Sequence, residues 1–513
     1  MSSLLLFSFV IGYFLLLLGV AWRTSRHSNN DSFFIGNRSS NWMLVAFGMI
    51  GTSLSGVTFV SVPGTVGDFA GNVHKGFSYF QVVIGYFIGY FVIAYVLLPL
   101  YYRLHLTSIY NYLQTRFGKV AYRTGALFFI ISRTVGATAR LYLVINVLHF
   151  FILKDMGVPF GVTTFVILLM ILLYTFEGGV KTIVYTDTLQ TTFMLIGLVV
   201  CIVYMLQHMD LSFGGAMQAL DEKSFTGIFN WDINSKGFFL KQILGGMFIT
   251  IAMTGLDQEM MQKNISVKNL KDSQKNMVTF SLILVLVNFL FLLLGGLLYL
   301  FVLHNGGAYQ GHELLVDGHN VIGDDLFPTL ALHAMPKAVS ILFIIGLISA
   351  LFPSADGALT ALTSSFCIDI LGLRERTGWT EQQKKKTRMT VHVTFAVIFL
   401  LCILVFKWID NKSIIGVILE LAGYTYGPLL GLFAFGIFTR RHLPDTGVIT
   451  VICLVAPLLC YFLSRYSAQW LGGFQIGIEL LLINGVLTYL GLLIVSRPAP
   501  DAPIDIKRSA ATN

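Results

Sequence analysis

The sequence predicts an all-α polytopic membrane protein with thirteen transmembrane helices, two of them broken. Apolar runs near the ~20 residues that a helix needs to cross a bilayer recur along the whole chain of 513 residues. The composition agrees, because 55% of the residues are hydrophobic and only 12% are charged. Two of the runs are interrupted by glycine and polar residues at matching positions, five spans apart, which indicates a five-plus-five inverted repeat.

The predicted spans are joined by loops that are too short to form a nucleotide-binding domain. No GxxxxGK[ST] motif occurs, so we do not expect ATP to drive transport through this chain. The spans are 3–22, 42–69, 77–101, 120–152, 159–176, 185–207, 240–262, 277–304, 333–370, 389–408, 413–438, 446–465 and 474–496.

Basic residues concentrate in the loops on one side of the predicted membrane. They follow spans one, three, seven, nine and eleven, in loops that include Arg23, Arg103, Lys263, Lys384 and Arg440. The positive-inside rule then places the N-terminus outside and the C-terminal tail in the cytoplasm, in the plasma (cell inner) membrane. These loops beside the lipid bilayer explain the net charge of +8, so no nucleic acid partner is expected.

The second span carries the first break. Its middle reads GTSLSG over 51–56 and is followed by Thr58. Glycine and small hydroxyl residues weaken a helix, and an open turn inside a bilayer needs cover from protein or from a wet cavity. We therefore expect a broken helix with a binding site at the bilayer midplane, where freed carbonyls bind a cation. The alternative is a packing seam of small residues.

The seventh span repeats this pattern with Gly245-Gly246, Thr254-Gly255 and the charged Asp257. If the two breaks begin two equivalent halves, repeat one covers about 41–209 and repeat two about 240–441. The chain would then consist of an accessory first helix and cytoplasmic loop (1–40), a transport core (41–441), and two accessory helices with a cytoplasmic tail (442–513).

Two carboxylates are predicted at membrane depth, where an ionisable side chain is costly and commonly functional. The first is Asp187, which opens the sixth span between Thr186 and Thr188. Oxygens of this kind suit a small hard cation, so Asp187 is expected to ligate a cation or to support its ligands. The alternative is a carboxylate that backbone amides satisfy at the N-terminus of a helix.

The second carboxylate, Asp356, lies in the ninth span. Pro353 frees a backbone carbonyl one turn back near Ala350, while Ser354 and Thr360 add hydroxyl groups. Together these groups predict a cation site built of carbonyl, hydroxyl and carboxylate oxygens. Two alternatives remain: a protonated Asp356 that relays protons, and a proline kink whose hydroxyls only mend the helix.

The fourth span contains two arginines, Arg133 and Arg140, which lie two helical turns apart on roughly one face. Arg133 is predicted either to clamp a substrate carboxylate in a bidentate fork or to pair with a neighbouring acid inside the protein. Gln81 in the third span is a weaker polar candidate.

The eleventh span has the composition of a hinge or gate. Glycine and proline stand beside two tyrosines at Gly423, Tyr424, Tyr426, Gly427 and Pro428. No Ser-His-Asp, HExxH or paired-carboxylate arrangement stands out along the chain. We therefore expect neither an enzyme nor an organic cofactor.

Seven stretches together resemble the sodium:solute symporter family, which includes sodium/glucose, sodium/proline and sodium/sialic acid transporters. The resemblance implies the LeuT-like five-plus-five fold with broken first and sixth core helices. In the order of the family, the stretches are GTSLSGVTFVSVPG (51–64), PLYYRLHLTSIYNYLQTRFG (99–118), ARLYL (139–143), YTFEGGVKTIVYTDTLQ (174–190), GLDQEMMQK (255–263), ALTSSFCIDIL (361–371) and GYTYGPLLGLFAFGIFTRR (423–441).

The resemblance implies sodium as the coupling ion, bound between the first and eighth core helices. Pro353 stands where the family usually has serine, so one hydroxyl ligand is missing. Some members hold a second sodium with an aspartate that matches Asp187, and Asp356 stands near the remaining ligands of that site. The positions that match the shared site are Gly51, Leu54, Ala350, Pro353 and Ser354.

The resemblance also implies a solute site beside the two breaks. Asp257 and the glutamines after it are closest to the sugar-transporting branch, whereas Arg133 suits an acidic solute, and both remain open. The predicted function is sodium-coupled symport of a small organic solute (a sugar, an amino acid, sialic acid or another carboxylate) by alternating access. The alternatives are proton-coupled symport through Asp356 and a channel. The implied solute-binding residues are Ser53, Ser55, Thr58, Gln81, Phe248 and Asp257.

Overall fold

The computed structural model describes residues 3–25, 40–68, 72–106, 108–175, 179–310, 313–316, 319–373, 375–376, 378–409 and 414–498. Within these ranges the chain is almost entirely helical. The predicted cytoplasmic tail after residue 498 lies outside the described residues.

The helices of the described ranges cover the predicted spans, and three further short helices, Asn111–Phe117, Phe213–Glu222 and Leu326–Thr329, lie between spans. They are α1 (Ser3–Ser25), α2 (Trp42–Ser53), α3 (Gly56–Gly64), α4 (Phe80–Val92), α5 (Leu98–Arg103), α6 (Asn111–Phe117), α7 (Lys119–Leu148), α8 (Phe160–Thr175), α9 (Gly179–His208), α10 (Phe213–Glu222), α11 (Phe239–Thr250), α12 (Gln258–Ile265), α13 (Leu270–His304), α14 (Leu326–Thr329), α15 (Lys337–Ser365), α16 (Glu381–Ile409), α17 (Ile414–Thr425), α18 (Gly427–Phe438), α19 (Val448–Trp470) and α20 (Leu480–Val495).

Short elements of other kinds lie between or at the ends of these helices. A small antiparallel sheet in the segment between α13 and α14 has the strand order β1 (Ala308–Gln310), β2 (Glu313–Val316) and β3 (His319–Asn320). A 3-10 turn covers Gly323–Asp325, and π-helical turns cover Ile93–Leu97, His149–Leu153, Ile251–Gly255, Leu330–Ala334 and Phe366–Ile370.

The described residues contain eight helices long and apolar enough to cross a membrane, or up to eleven spans if each of three bent helix pairs is one span. The bent pairs are α2/α3, α11/α12 and α17/α18. The fifth and thirteenth predicted spans correspond to the shorter apolar helices α8 and α20. The helical polytopic fold is confirmed, and the count of thirteen spans stays a prediction.

The first break lies where the sequence predicts it. α2 ends at Ser53 and α3 begins at Gly56, with a bend of 54° between the two helices. Ser55 is extended, with φ −73° and ψ 179°, so the helical hydrogen-bond ladder is interrupted here. The broken second span is confirmed.

The second break separates the turn that ends at Gly255 from α12, with a bend of 64°. Asp257 caps α12, since its carboxylate accepts hydrogen bonds from the amides of Glu259 and Met260. The carbonyls of residues 255 and 256 accept hydrogen bonds from two tyrosine hydroxyls, those of Tyr101 and Tyr110, at 2.7 and 2.9 Å. The broken seventh span is therefore confirmed, and its freed carbonyls have donors from the protein.

A third bend, of 46°, lies between α17 and α18 at the predicted hinge. Pro428 has no amide hydrogen, so the carbonyl of Tyr424 loses its helical donor. The side-chain amide of Asn484 in α20 replaces that donor and bonds the carbonyls of Gly423 and Tyr424 at 3.0 and 2.9 Å. A Cβ at Gly427 would collide with Asn484, so glycine is needed beside this cap. That the bend moves as a gate stays a prediction.

Close packing of the helices holds the breaks in place. α9 packs extensively against α15 and α2, and α4 packs against α11. A Cβ at Gly85 of α4 would collide with the Ile243 carbonyl of α11, and one at Gly246 with the Val82 carbonyl. The two helix backbones therefore touch, as small residues allow between membrane helices.

Three sequence predictions require correction. The assignment of Lys263 to a cytoplasmic loop is wrong, because α12 continues to Ile265 and the Lys263 side chain is only 3% exposed. The helices of the eighth and tenth spans begin earlier than predicted, since α13 begins at Leu270 rather than at 277 and α16 at Glu381 rather than at 389. The polar first turns of α16 have no apolar pattern that marks them as helical.

Candidate functional site

A cavity of about 110 Å³ lies between the two broken helix pairs. α2 and α3 line it on one side and α11 and α12 on the other, with further walls from α4, α7, α13 and α17. Because both breaks face it, the cavity combines polar side chains with apolar walls, as ligand sites commonly do. Its polar lining includes Ser53, Ser55, Thr58, Tyr79, Tyr86, Tyr90, Arg133, Arg140, Thr254 and Asn288.

The structure brings together four of the seven predicted solute-binding residues. Ser53, Ser55, Thr58 and Arg133 line the cavity, whereas Gln81, Phe248 and Asp257 are described but lie outside its lining. Their roles in solute binding stay predictions.

Gln81 holds a loop. Its amide nitrogen donates to the Ser78 carbonyl at 2.8 Å, and its oxygen accepts from the backbone amide of Asn230 at 3.3 Å. These bonds tie the start of α4 to the segment before α11, so Gln81 is engaged structurally.

Arg133 has acidic partners within the protein. Its guanidinium forms an ion pair with Glu259, and a second nitrogen lies 3.8 Å from the Asp257 carboxylate. All three side chains are at most 3% exposed. This matches the second of the two sequence hypotheses for Arg133, internal pairing, although the residue also borders the cavity.

Arg140 lies two turns further along α7 and also lines the cavity. Among the described residues, no carboxylate lies within ion-pair distance of its guanidinium. A partly buried cation without an acid partner favours an anionic ligand, because a carboxylate can accept its planar fork of donors. The sequence placed Arg140 on the same face as Arg133 but gave no sign of which arginine would remain unpaired.

The Asp187 side chain in α9 contacts side chains of two other helices. Its Oδ2 accepts a hydrogen bond from the Lys263 ammonium at 2.7 Å and one from the Thr52 hydroxyl at 3.2 Å. Lys263 Nζ also lies 3.7 Å from the Glu259 carboxylate. The sequence analysis did not identify Lys263 and Glu259 as site residues. The available signal is that they lie four residues apart in the helix that Asp257 caps, and therefore on one face of it.

The residues predicted to form the shared sodium site lie on helices that pack together, α2 and α15. In the described part of the chain, no donor reaches the carbonyl oxygens of Gly51 and Leu54, in contrast to the capped carbonyls of the second break. The buried Ser354 hydroxyl also has no hydrogen-bond partner. Buried oxygens without donors are the chemistry that a hard cation needs.

Thr191 of α9 faces this same region. A Cβ at Gly51 would collide with the Thr191 hydroxyl and would lie 3.5 Å from the Pro353 ring. The Thr191 hydroxyl is buried and has no hydrogen-bond partner. The Thr191 hydroxyl and Pro353 therefore lie near the same point beside Gly51. Pro353 is the position at which the family usually has a serine hydroxyl.

Asp356 is buried in α15 and accepts a hydrogen bond from the Tyr174 hydroxyl at 2.8 Å. The Thr360 hydroxyl, one turn further on, has no hydrogen-bond partner. Both sequence hypotheses for Asp356, cation ligand and proton relay, stay open in this arrangement.

The predicted gate segment contacts the second break. The Tyr426 hydroxyl donates to the Asp257 carboxylate at 3.0 Å, so the bend between α17 and α18 is joined to the cap of α12. Tyr424 lies partly exposed on the other side of α17, beside Glu420.

Comparisons with known proteins agree with this architecture. Residues 33–450 match the sodium:solute symporter family. A sodium/sialic acid symporter of Proteus mirabilis is 24% identical over 90% of each chain. A sodium-coupled monocarboxylate transporter of the mouse is 26% identical over 85% of this chain and 68% of its own.

A solved structure shares the fold. The substrate-bound outward-open state of a sodium-coupled sialic acid symporter superimposes with a TM-score of 0.79 at 20% identity, covering 95% of this chain and 97% of that chain. The helix breaks and the cavity between them thus lie in a fold that this chain shares with that protein.

Proposed function

The chain belongs to the sodium:solute symporter family, and from this premise we propose that its solute is a small carboxylate. It is a multi-pass membrane protein that couples the movement of a small solute to sodium, and it is not an enzyme. We propose three further properties: the class of solute, the ligands of sodium and the orientation in the membrane.

The unpaired Arg140 in the cavity carries the proposal of a carboxylate. Arg133 is neutralised by Glu259 and Asp257, so Arg140 is the cavity arginine free to bind an anion. Serine and threonine hydroxyls at the first break and the amide of Asn288 supply further hydrogen bonds. The relatives that transport sialic acid and monocarboxylates support the same class, since both solutes carry a carboxylate.

The size of the cavity favours a small solute. Its volume of about 110 Å³ is below the ~150 Å³ of an apolar cavity that holds benzene. A short monocarboxylate fits this conformation, whereas sialic acid requires the cavity to widen. Transport assays should therefore use both a short monocarboxylate and sialic acid as solutes.

For sodium we propose a site between α2 and α15. Its ligands would be the carbonyls of Gly51, Leu54 and Ala350, with hydroxyls from Ser354 and from Thr191, a side chain absent from the sequence prediction. The Thr191 hydroxyl then replaces the one that Pro353 lacks. Support comes from the orphaned oxygens described above.

Sodium is expected to raise the melting temperature of the purified protein above its value in potassium at equal ionic strength. A ligand that binds only the folded state at about 100 times its Kd adds roughly 2.7 kcal/mol of stability. A thermal melt in detergent, with chloride salts of both ions and with choline as the reference, measures this. Equal melting in sodium, potassium and choline would contradict sodium binding.

Thr191→Val is expected to raise the sodium concentration for half-maximal stabilisation by roughly tenfold or more. A polar contact with a charged group is worth about 1.5–3 kcal/mol, and each ~1.4 kcal/mol is a factor of ten. The neighbouring Thr192 is exposed and bonds only the Thr188 carbonyl, so Thr192→Val is the matched control. An unchanged sodium response in Thr191→Val would remove Thr191 from the site.

Proton coupling through Asp356 is the second candidate, supported by a buried carboxyl whose side-chain partner is the Tyr174 hydroxyl. Uptake that persists without sodium and stops with a protonophore would favour it over sodium coupling.

We propose the same organisation for the whole chain as for its family. Repeat one would cover 41–209 and repeat two 240–441, with the N-terminus outside and the C-terminus in the cytoplasm of the plasma membrane. The buried position of Lys263 does not change this orientation, because Lys268, Lys271 and Lys275 still follow the seventh span on the basic side.

A further inference from the structure

The Lys263 ammonium lies in a pocket of oxygens from three helices. Its Nζ is 2.7 Å from Asp187 Oδ2 of α9, 2.6 Å from Thr52 Oγ1 of α2, and 3.7 Å from Glu259 Oε1 of α12. Lys263 is 3% exposed, and Asp187 and Thr52 are 0% and 1% exposed. A carboxylate, a hydroxyl and a second carboxylate that converge on one point form a cation-binding arrangement.

One cation balances the carboxylate that remains at this point. Arg133 pairs with Glu259, which leaves Asp187 as the carboxylate that depends on Lys263. A buried carboxylate without a cation carries a large desolvation cost, and at Asp187 the Lys263 ammonium offsets it.

The ammonium also connects the two broken helices. Thr52 lies in the last turn of α2 before the first break, and Lys263 lies in α12 after the second. The Lys263 ammonium therefore links the two broken helices to α9. A free cation bound at the same point would make the same link.

We propose that the Lys263 ammonium is a tethered cation that occupies the Asp187 position in place of a second sodium, so that the chain binds one sodium. This proposal rests on the sodium coupling proposed above. It adds the number of sodium ions that each chain binds. A transporter with one sodium uses less of the ion gradient per solute than one with two.

The test is the number of sodium ions bound per chain, measured with radioactive sodium on the purified protein in detergent. The wild type is expected to bind one ion and Lys263→Ala two, because the smaller side chain leaves Asp187 and Thr52 for sodium. Lys263→Arg keeps a cation at Asp187 and is expected to bind one. The exposed Lys268 supplies the matched control, and Lys268→Ala is also expected to bind one ion.

Two sodium ions in the wild type, or a single ion in folded Lys263→Ala, would overturn the tethered cation while leaving sodium coupling intact. No bound sodium in the wild type would overturn the sodium site of the proposed function and this inference with it. If Lys263→Ala does not fold, the wild-type count decides, with one ion supporting the proposal and two overturning it.

Discussion

Arg140→Gln is expected to reduce the uptake of a carboxylate solute by about 30-fold to several thousand-fold. Removing one partner of a buried, hydrogen-bonded charge pair costs roughly 2–5 kcal/mol, and each ~1.4 kcal/mol is a factor of ten. The loss is large because, in the described residues, no acid pairs with Arg140 and the solute is its expected partner. Uptake into proteoliposomes of a labelled short monocarboxylate and of labelled sialic acid measures it.

The matched control for this variant is on the same helix. Arg123 is exposed near the start of α7, so Arg123→Gln removes one positive charge without touching the cavity and is expected to transport normally. Arg140→Lys keeps the charge but not the planar fork, and an intermediate loss is expected. If Arg140→Gln takes up carboxylates as fast as Arg123→Gln does, the proposed solute class is wrong.

The helix breaks are predictable from the sequence because their causes are local. Glycine and hydroxyl residues over 51–56 weaken the helix wherever they occur, and Pro428 removes a backbone donor in any environment. They mark where the helix opens, and neighbouring side chains then supply donors to the freed carbonyls of the second and third bends. The first and third bends follow from these local preferences, and Thr254-Gly255 is the local signal for the second.

The pairing of the charges is not predictable in this way. Arg133 and Arg140 share a face of α7, and only the position of Glu259 in α12 decides which arginine meets an acid. Lys263 resembles a loop residue because its charge is typical of the basic side of the membrane. It is buried because the Asp257 cap starts a helix that carries Glu259 and Lys263 into the protein.

Five buried charged side chains and two buried hydroxyl groups form a continuous chain of contacts between the three bends. Each member is within 4 Å of the next, and all are at most 3% exposed. Because a shift at one bend would leave a buried charge unpaired at the next, we expect the three bends to move together. From the third bend to the first, the chain is Tyr426, Asp257, Arg133, Glu259, Lys263, Asp187 and Thr52.

Arg133→Met is expected to destabilise the protein by roughly 3–5 kcal/mol, because it leaves Glu259 as a buried charge without its main partner. The double variant Arg133→Met/Glu259→Gln is expected to recover at least half of this loss. Asp257 does not prevent the recovery, since two backbone amides and the Tyr426 hydroxyl already donate to its carboxylate. Thermal melts of both variants in detergent measure the change in stability.

The same pair of variants separates a structural Arg133 from one that binds solute. If Arg133 acts only through Glu259, the folded double variant transports carboxylate and neutral probes at a similar fraction of the wild-type rate. The exposed Arg123→Met is the control for the loss of a charge from α7. Two results would contradict the structural role: a single variant as stable as the wild type, or a stable double variant that loses carboxylate uptake alone. The second result would place the solute carboxylate between Arg133 and Arg140, within reach of both guanidinium groups.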